Sequence, residues 1–142
     1  DPPSIEEMAA RRSTILGRGD PYLVVTDAED QVLGYAYVGP YRPRPAYRFT
    51  VEDSIYLGPG QQGRGIGRRL LSSLIGRSEA RGYRRMVAVI GDSANHASIA
   101  MHAACGFEKV GVIPSLGWKA GRWVDSVLMQ RPIGDGDATP PI

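Results

Sequence analysis

Little in this chain could staple it, metallate it or hold it in a membrane. Cysteine occurs once among 142 residues, at Cys105, so no internal disulfide forms, and a reducing cytoplasm is the expected compartment. Two histidines and one cysteine are a poor set for structural zinc, and no metal is expected. No apolar run approaches the ~18 residues that span a bilayer, and the start Asp1-Pro2-Pro3 is unlike a signal peptide, so the chain reads as soluble, with no membrane partner. Seventeen Lys and Arg against fifteen Asp and Glu leave a net charge of only +2. That excludes the dense basic face that phosphate backbones select, and nucleic acid with it. The chain also lacks an initiator Met and begins just before a helix signal, which leaves two expectations open, a missing preceding piece or its counterpart supplied from elsewhere.

What is present is ordinary globular composition, 42% hydrophobic and 23% charged, enough for one core; a single domain over 1–133 and a flexible polar tail over 134–142 are expected. Ser4-Ile5-Glu6-Glu7 has the form of a capping box, and Ile5, Met8, Ala9, Ile15 and Leu16 follow at helical spacing as far as Gly17. Tyr22–Thr26 and Val32–Val38 read as an antiparallel hairpin around a polar turn. Three prolines make residues 40–46 a rigid loop that carries Tyr41, Arg42 and Arg44. Thr50–Leu57 is a strand whose alternation puts Val51, Asp53, Ile55 and Leu57 on one face and Thr50, Glu52, Ser54 and Tyr56 on the other. A polar strand face of this kind lines a cleft.

After a glycine-rich loop, Ile66, Leu70, Leu71, Leu74 and Ile75 trace the stripe of a helix that ends by Gly82. Met86–Ile90 reads as a strand covered on both faces, Asn95–Cys105 as a helix, and Phe107–Ile113 and Arg122–Arg131 as two further strands. The sum is an α/β (α+β) fold with a mixed, mostly antiparallel sheet flanked by helices.

The loop Gly58-Pro59-Gly60-Gln61-Gln62-Gly63-Arg64-Gly65-Ile66-Gly67 joins a strand to a helix start, where free N–H groups and the helix dipole attract an anion. Gly58, Gly60 and Gly63 satisfy the dinucleotide fingerprint literally, but antiparallel strands precede them and the acidic residue about 20 positions on, Glu79, lies on a helix. A phosphate-binding P-loop needs Lys after Gly65, and Ile66 stands there.

Gln62-x-x-Gly65-x-Gly67 instead resembles the motif that opens a helix in the GNAT superfamily of N-acetyltransferases. Thr50-Val51-Glu52-Asp53-Ser54-Ile55-Tyr56, Asn95 through Phe107 and Gly117 through Asp125 extend the likeness, towards the branch that acts on phosphinothricin and methionine sulfoximine or sulfone. It covers residues 1 to about 131. The resemblance implies a GNAT fold without the family's first strand and helix, which would form a wall of the acceptor cleft. It implies acetyl-CoA as co-substrate, held by Ile55, Tyr56, Leu57, Gln62, Gly63, Arg64, Gly65, Ile66, Gly67, Arg68 and Asn95. The pyrophosphate would meet the loop amides, the pantetheine arm would pair with the strand, and the Leu57 N–H would hold the acetyl carbonyl. Asn95 serves that arm, caps its helix, or does both.

Acetyl transfer to an ammonium group needs a base, and Glu52 is the candidate, acting directly or through water. His102 stands where many members carry tyrosine; it relays that proton, protonates the leaving thiolate, or merely satisfies a nearby carbonyl. Tyr56 is either a hydroxyl near the thiolate or a strand aromatic. Arg42 and Arg44, with Tyr47, offer guanidiniums for a carboxylate or phosphinate, the alternative being solvated loop charges. The acceptor expected is a small amino acid. A catalytically weak acyl-CoA-binding module and a protein or peptide N-acetyltransferase are the alternatives, with a nucleotide-binding reading behind them. Apolar residues in the last strands, Trp118, Trp123, Val127 and Met129, point to a homodimer.

Overall fold

The computed structural model describes residues 4–142; Asp1, Pro2 and Pro3 lie outside them. Ser4 caps the first helix, α1 (Ile5–Gly17), through the reciprocal pair of Ser4 and Glu7 that its sequence announces. A hairpin follows, β1 (Tyr22–Thr26) and β2 (Val32–Pro40), the second strand running two residues past its expected end. The proline-rich loop holds one 3-10 turn, Pro45–Tyr47, and leads into β3 (Thr50–Leu57), whose bounds are those read from the sequence. Then come α2 (Ile66–Ala80), β4 (Arg85–Ile90), α3 (His96–Ala104), β5 (Glu108–Lys119) and β6 (Arg122–Pro132).

The six strands form one sheet in the order β1-β2-β3-β4-β6-β5. Every pairing is antiparallel except β3 with β4. That parallel ladder has only three rungs, Thr50–Arg85, Val51–Met86 and Glu52–Val87. Beyond Glu52 the two strands separate, so β3 from Asp53 to Leu57 keeps β2 on one edge and has no strand on the other.

The core lies on one face of the sheet. Leu70, Leu71 and Leu74 of α2 pack on Ala36, Val38, Val51, Met86, Ala88, Val127 and Met129, all buried. Burying a leucine in this way contributes roughly 2 kcal/mol, which is what pins α2 across the sheet. On the opposite face α1 contacts β1 and β2. Val89 is therefore 40% exposed, and the expectation that β4 is covered on both faces fails. An unbroken apolar run marks a strand without saying how many layers cover it.

β5 continues well past its expected end at Ile113. A bulge between Ile113 and Gly117 absorbs Pro114 and Ser115, and the Asp125 carboxylate holds it by accepting from the Ser115 N–H (2.9 Å) and the Ser93 hydroxyl (3.1 Å). The end of the chain, read from composition as a flexible tail, is turned against β4. There the Arg84 guanidinium donates to the Gly136 carbonyl (2.8 Å) and the Thr139 hydroxyl (2.9 Å). No helix among the described residues is long and apolar enough to cross a membrane.

Candidate active site

Where β3 and β4 part, a cavity of about 580 Å³ opens between the free edge of β3, the start of α2 and one side of α3. Its lining includes Ile55, Leu57, Gln62, Gly63, Gly65, Ile66, Gly67, Arg68 and Asn95, so the residues expected to hold a cofactor converge there, Tyr56 and Arg64 excepted. The Arg64 guanidinium is turned to the Gln61 side chain (2.5 Å). Gln61 itself lines the cavity, as do Ala97, Ser98, Met101 and Ala104. Sequence reasoning passed over this α3 face, although its spacing of three and four residues was there to be read.

The loop that precedes α2 is shaped by Gly63 and Gly65, both left-handed with φ near +78° and +77°. Gly65 sits at the helix cap and offers no side chain, whereas α1 is capped by Ser4 and α3 by the Asn95 side chain, whose Oδ1 accepts from the Ser98 N–H (3.2 Å). The first helical bond of α2 runs from the Arg69 N–H to the Gly65 carbonyl (3.1 Å). Among the described residues nothing accepts from the Ile66, Gly67 and Arg68 N–H groups ahead of it, and these, with the helix dipole, make an anion cradle. Gly67 also lets the helices meet: a Cβ there would stand 2.5 Å from the Met101 sulfur.

The β3 edge is equally explicit. The Gly58 N–H donates to the Leu33 carbonyl on the β2 side (2.8 Å). By alternation the Leu57 and Ile55 N–H groups point the other way, into the opening. The cavity thus combines an anion cradle, unpaired strand amides and apolar walls.

Glu52 occupies the last rung of the ladder on the opposite face of β3, half-buried. Its carboxyl is pushed above the ordinary range, first by burial and then by the neighbouring Asp53 charge, with Arg42 opposing both. Glu52 and Arg42 are therefore electrostatic neighbours. The Arg42 guanidinium lies over the Tyr41 ring (4.6 Å), Tyr47 meets Tyr41 edge-on (6.3 Å), and Arg44 stands exposed at the start of the 3-10 turn.

Tyr56 shares Glu52's face and lies outside the cavity. It stacks on Tyr35 (4.9 Å) and Tyr37 (6.3 Å), with Tyr22 stacked on Tyr37 in turn (5.5 Å). Burial and hydrogen bonding with Tyr37 push its hydroxyl up to about 12, so it remains a phenol at neutral pH. Of its two expected roles, the strand aromatic is the one its position fits.

Of its three expected roles, His102 takes the last, with Nδ1 2.8 Å from the Ser98 carbonyl oxygen. Its side chain is 4% exposed, outside the cavity lining, and bonds to Asp53 on the core side of β3 while Glu52 points to the far side. The strand itself separates the two residues expected to share a proton, so the structure does not bring His102 to Glu52. Cys105 is half-buried near the Ser72 hydroxyl (3.9 Å), away from the cavity lining.

A three-helix, six-strand fold whose parallel pair opens beside a glycine-capped helix defines a class, and the family model described as "Acetyltransferase (GNAT) family" matches residues 2–107. The chain belongs to that family and has its fold. It is 53% identical over 140 residues to the phosphinothricin N-acetyltransferase of Alcaligenes faecalis, covering 99% of this chain and 71% of that protein. It is 48% identical over 113 residues to the L-methionine sulfoximine/L-methionine sulfone acetyltransferase of Pseudomonas aeruginosa, covering 80% and 65%. The crystal structure of a GNAT phosphinothricin acetyltransferase from Sinorhizobium meliloti in complex with acetyl-CoA superposes with a TM-score of 0.95 at 55% identity, covering 99% of this chain and 76% of that one.

Proposed function

We propose that this chain is an N-acetyltransferase that moves the acetyl group of acetyl-CoA to the α-amino group of a small amino acid or analogue, such as phosphinothricin, methionine sulfone or methionine sulfoximine. The observation that carries the reading is the uncapped start of α2 opening, beside unpaired strand amides, onto a cavity of about 580 Å³. Such a site suits a ligand with a pyrophosphate at one end and an amide-bearing arm at the other. The Ile66, Gly67 and Arg68 N–H groups would take the pyrophosphate, and Asn95 and the β3 edge the arm. The Leu57 N–H would take the thioester oxygen, stabilising the negative charge that develops on it.

Glu52 is the general base in this reading. A carboxylate with raised proton affinity removes a proton from the acceptor's ammonium group, directly or through water. The freed amine attacks the thioester carbonyl, the carbon–sulfur bond breaks without an acyl-enzyme, and CoA leaves as a thiolate that takes up the proton the acylated nitrogen sheds. Arg42, Arg44 and Tyr47 would hold the acceptor's carboxylate or phosphinate, and the charge of Arg42 acting on Glu52 supports a common cleft. The reading extends to a homodimer through the β5–β6 hairpin, supported by exposed Val110, Leu116, Trp118 and Trp123, whereas Val127 and Met129, expected to share that surface, are buried in the core because their side chains face α2; a one-chain mass in light scattering refutes this extension. The lone Cys105 supports a cytoplasmic location, to be checked by fractionating cells that express the chain.

The deciding experiment is thiol release from acetyl-CoA with methionine sulfone or phosphinothricin against a no-amine control. Amine-dependent release is expected. Tight CoA binding without release would replace this reading with an acyl-CoA-binding module.

A further inference from the structure

Within a core assembled largely from aliphatic side chains, one buried pair touches none of the reacting groups just described and acts on Glu52 only through the Asp53 charge. Asp53 of β3 and His102 of α3 each have side chains 4% exposed. His102 Nδ1 lies 2.8 Å from the Ser98 carbonyl oxygen, and Nε2 lies 3.0 and 3.1 Å from the two Asp53 oxygens. The Ser98 carbonyl can only accept, and so can Asp53 when ionised; with Asp53 ionised each ring nitrogen donates and the ring is an imidazolium. Burial alone would pull its pKa down; the Asp53 hydrogen bond and charge, with the Ser98 carbonyl, outweigh that and raise it. Phe107 closes the remaining side with its ring edge-on (5.0 Å), and Glu52 faces away across β3.

A buried ion pair is a poor source of net stability compared with apolar packing, but it fixes the two elements it joins. Here these are two walls of the cavity: β3 contributes Ile55 and Leu57, and α3 contributes Ser98 and Met101. Asp53 is also the first residue beyond the last β3–β4 rung. The pair begins to hold β3 where the sheet ceases to.

We propose that Asp53 and His102 are positioning residues for the acyl-donor cavity, their ion pair locking α3 onto the free segment of β3 and so setting the cavity's width. The proposal rests on acetyl-CoA as the cavity's ligand, which thiol release by the unaltered protein tests separately.

Asp53→Asn keeps the side chain's volume and removes its charge. It should raise the acetyl-CoA KM about tenfold, leave kcat at the pH optimum within about threefold and the acceptor KM unchanged, and move the acid limb of kcat/KM to lower pH, because the Asp53 charge no longer raises Glu52. His102→Gln should behave alike in KM and kcat, and the double variant should be about as impaired as either single one, because both remove one interaction. Unchanged acetyl-CoA KM, or a kcat loss that only follows the folded fraction, overturns the proposal. Should the variants fail to fold, nitrogen NMR of the unaltered protein decides. At about pH 7.5, where an ordinary histidine is neutral, both His102 ring nitrogens should have imidazolium shifts. A neutral ring there removes the ion pair and the proposal with it.

Discussion

On the core side of β3 the cavity is made chiefly of main chain: left-handed Gly63 and Gly65, the unbonded amides at the start of α2, and the open edge beyond Asp53. On the other side, Glu52 lies among side chains drawn from distant stretches, with Arg42 from the proline loop and the tyrosine stack from β1 and β2. The same strand supports both sites, and they should fail in different ways. A main-chain site is sensitive to backbone angles and indifferent to most side-chain chemistry; the opposite holds across the strand. Under the proposed function that would also be a division of labour, between a donor half that many acceptors can share and an acceptor half in which specificity can change.

The largest effect should come from Glu52→Gln, which is expected to lower kcat about a hundredfold or more with acetyl-CoA affinity unaltered. Calorimetry with steady-state rates checks both, and a parallel loss of donor binding would erase the distinction between the halves. Next, Arg42→Ala should raise the acceptor KM about tenfold and leave the donor KM alone. Its pH profile sharpens the comparison. Arg42 holds the Glu52 carboxyl down against burial and Asp53, so without it that carboxyl stays protonated to higher pH, and the acid limb of kcat/KM should move to higher pH. A stationary limb would mean that Glu52 is not the titrating base. The smallest effect is that of Gly65→Ala. Its Cβ meets nothing within 4 Å, so the cost is one of backbone angle, about 1 kcal/mol, expected as a roughly fivefold weaker Kd for acetyl-CoA with the acceptor KM unmoved.

The same division explains what could be read in the sequence. Caps, glycines and strand alternation are local signals, and they located α1, β3, the glycine loop and α2 with the cavity residues that hang from them. Tyr56 and Arg64 were assigned to the cavity by adjacency in the motif, but strand alternation turns Tyr56 to the far face and Arg64 bonds to Gln61. The carbonyl contact of His102 was among its expected roles; its bond to Asp53 was not, because that partner is 49 positions away. A signal existed all the same: Asp53, set among Val51, Ile55 and Leu57 on a core face, required a buried hydrogen-bond partner. β5 was cut short at Pro114 because proline and glycine mark strand ends, whereas the Asp125 carboxylate turns them into a bulge.

The placement of the aromatic rings has an optical consequence. Both tryptophans of the chain, Trp118 and Trp123, stand on the β5–β6 hairpin, 63% and 59% exposed with ring centres 5.1 Å apart. Four of the seven tyrosines stack on the face that carries Glu52. Tryptophan emission therefore monitors the hairpin surface, while near-ultraviolet tyrosine dichroism monitors the face that carries Glu52, where the proposed function places the acceptor. Association and acceptor binding can thus be followed in one unlabelled sample as two separate colours.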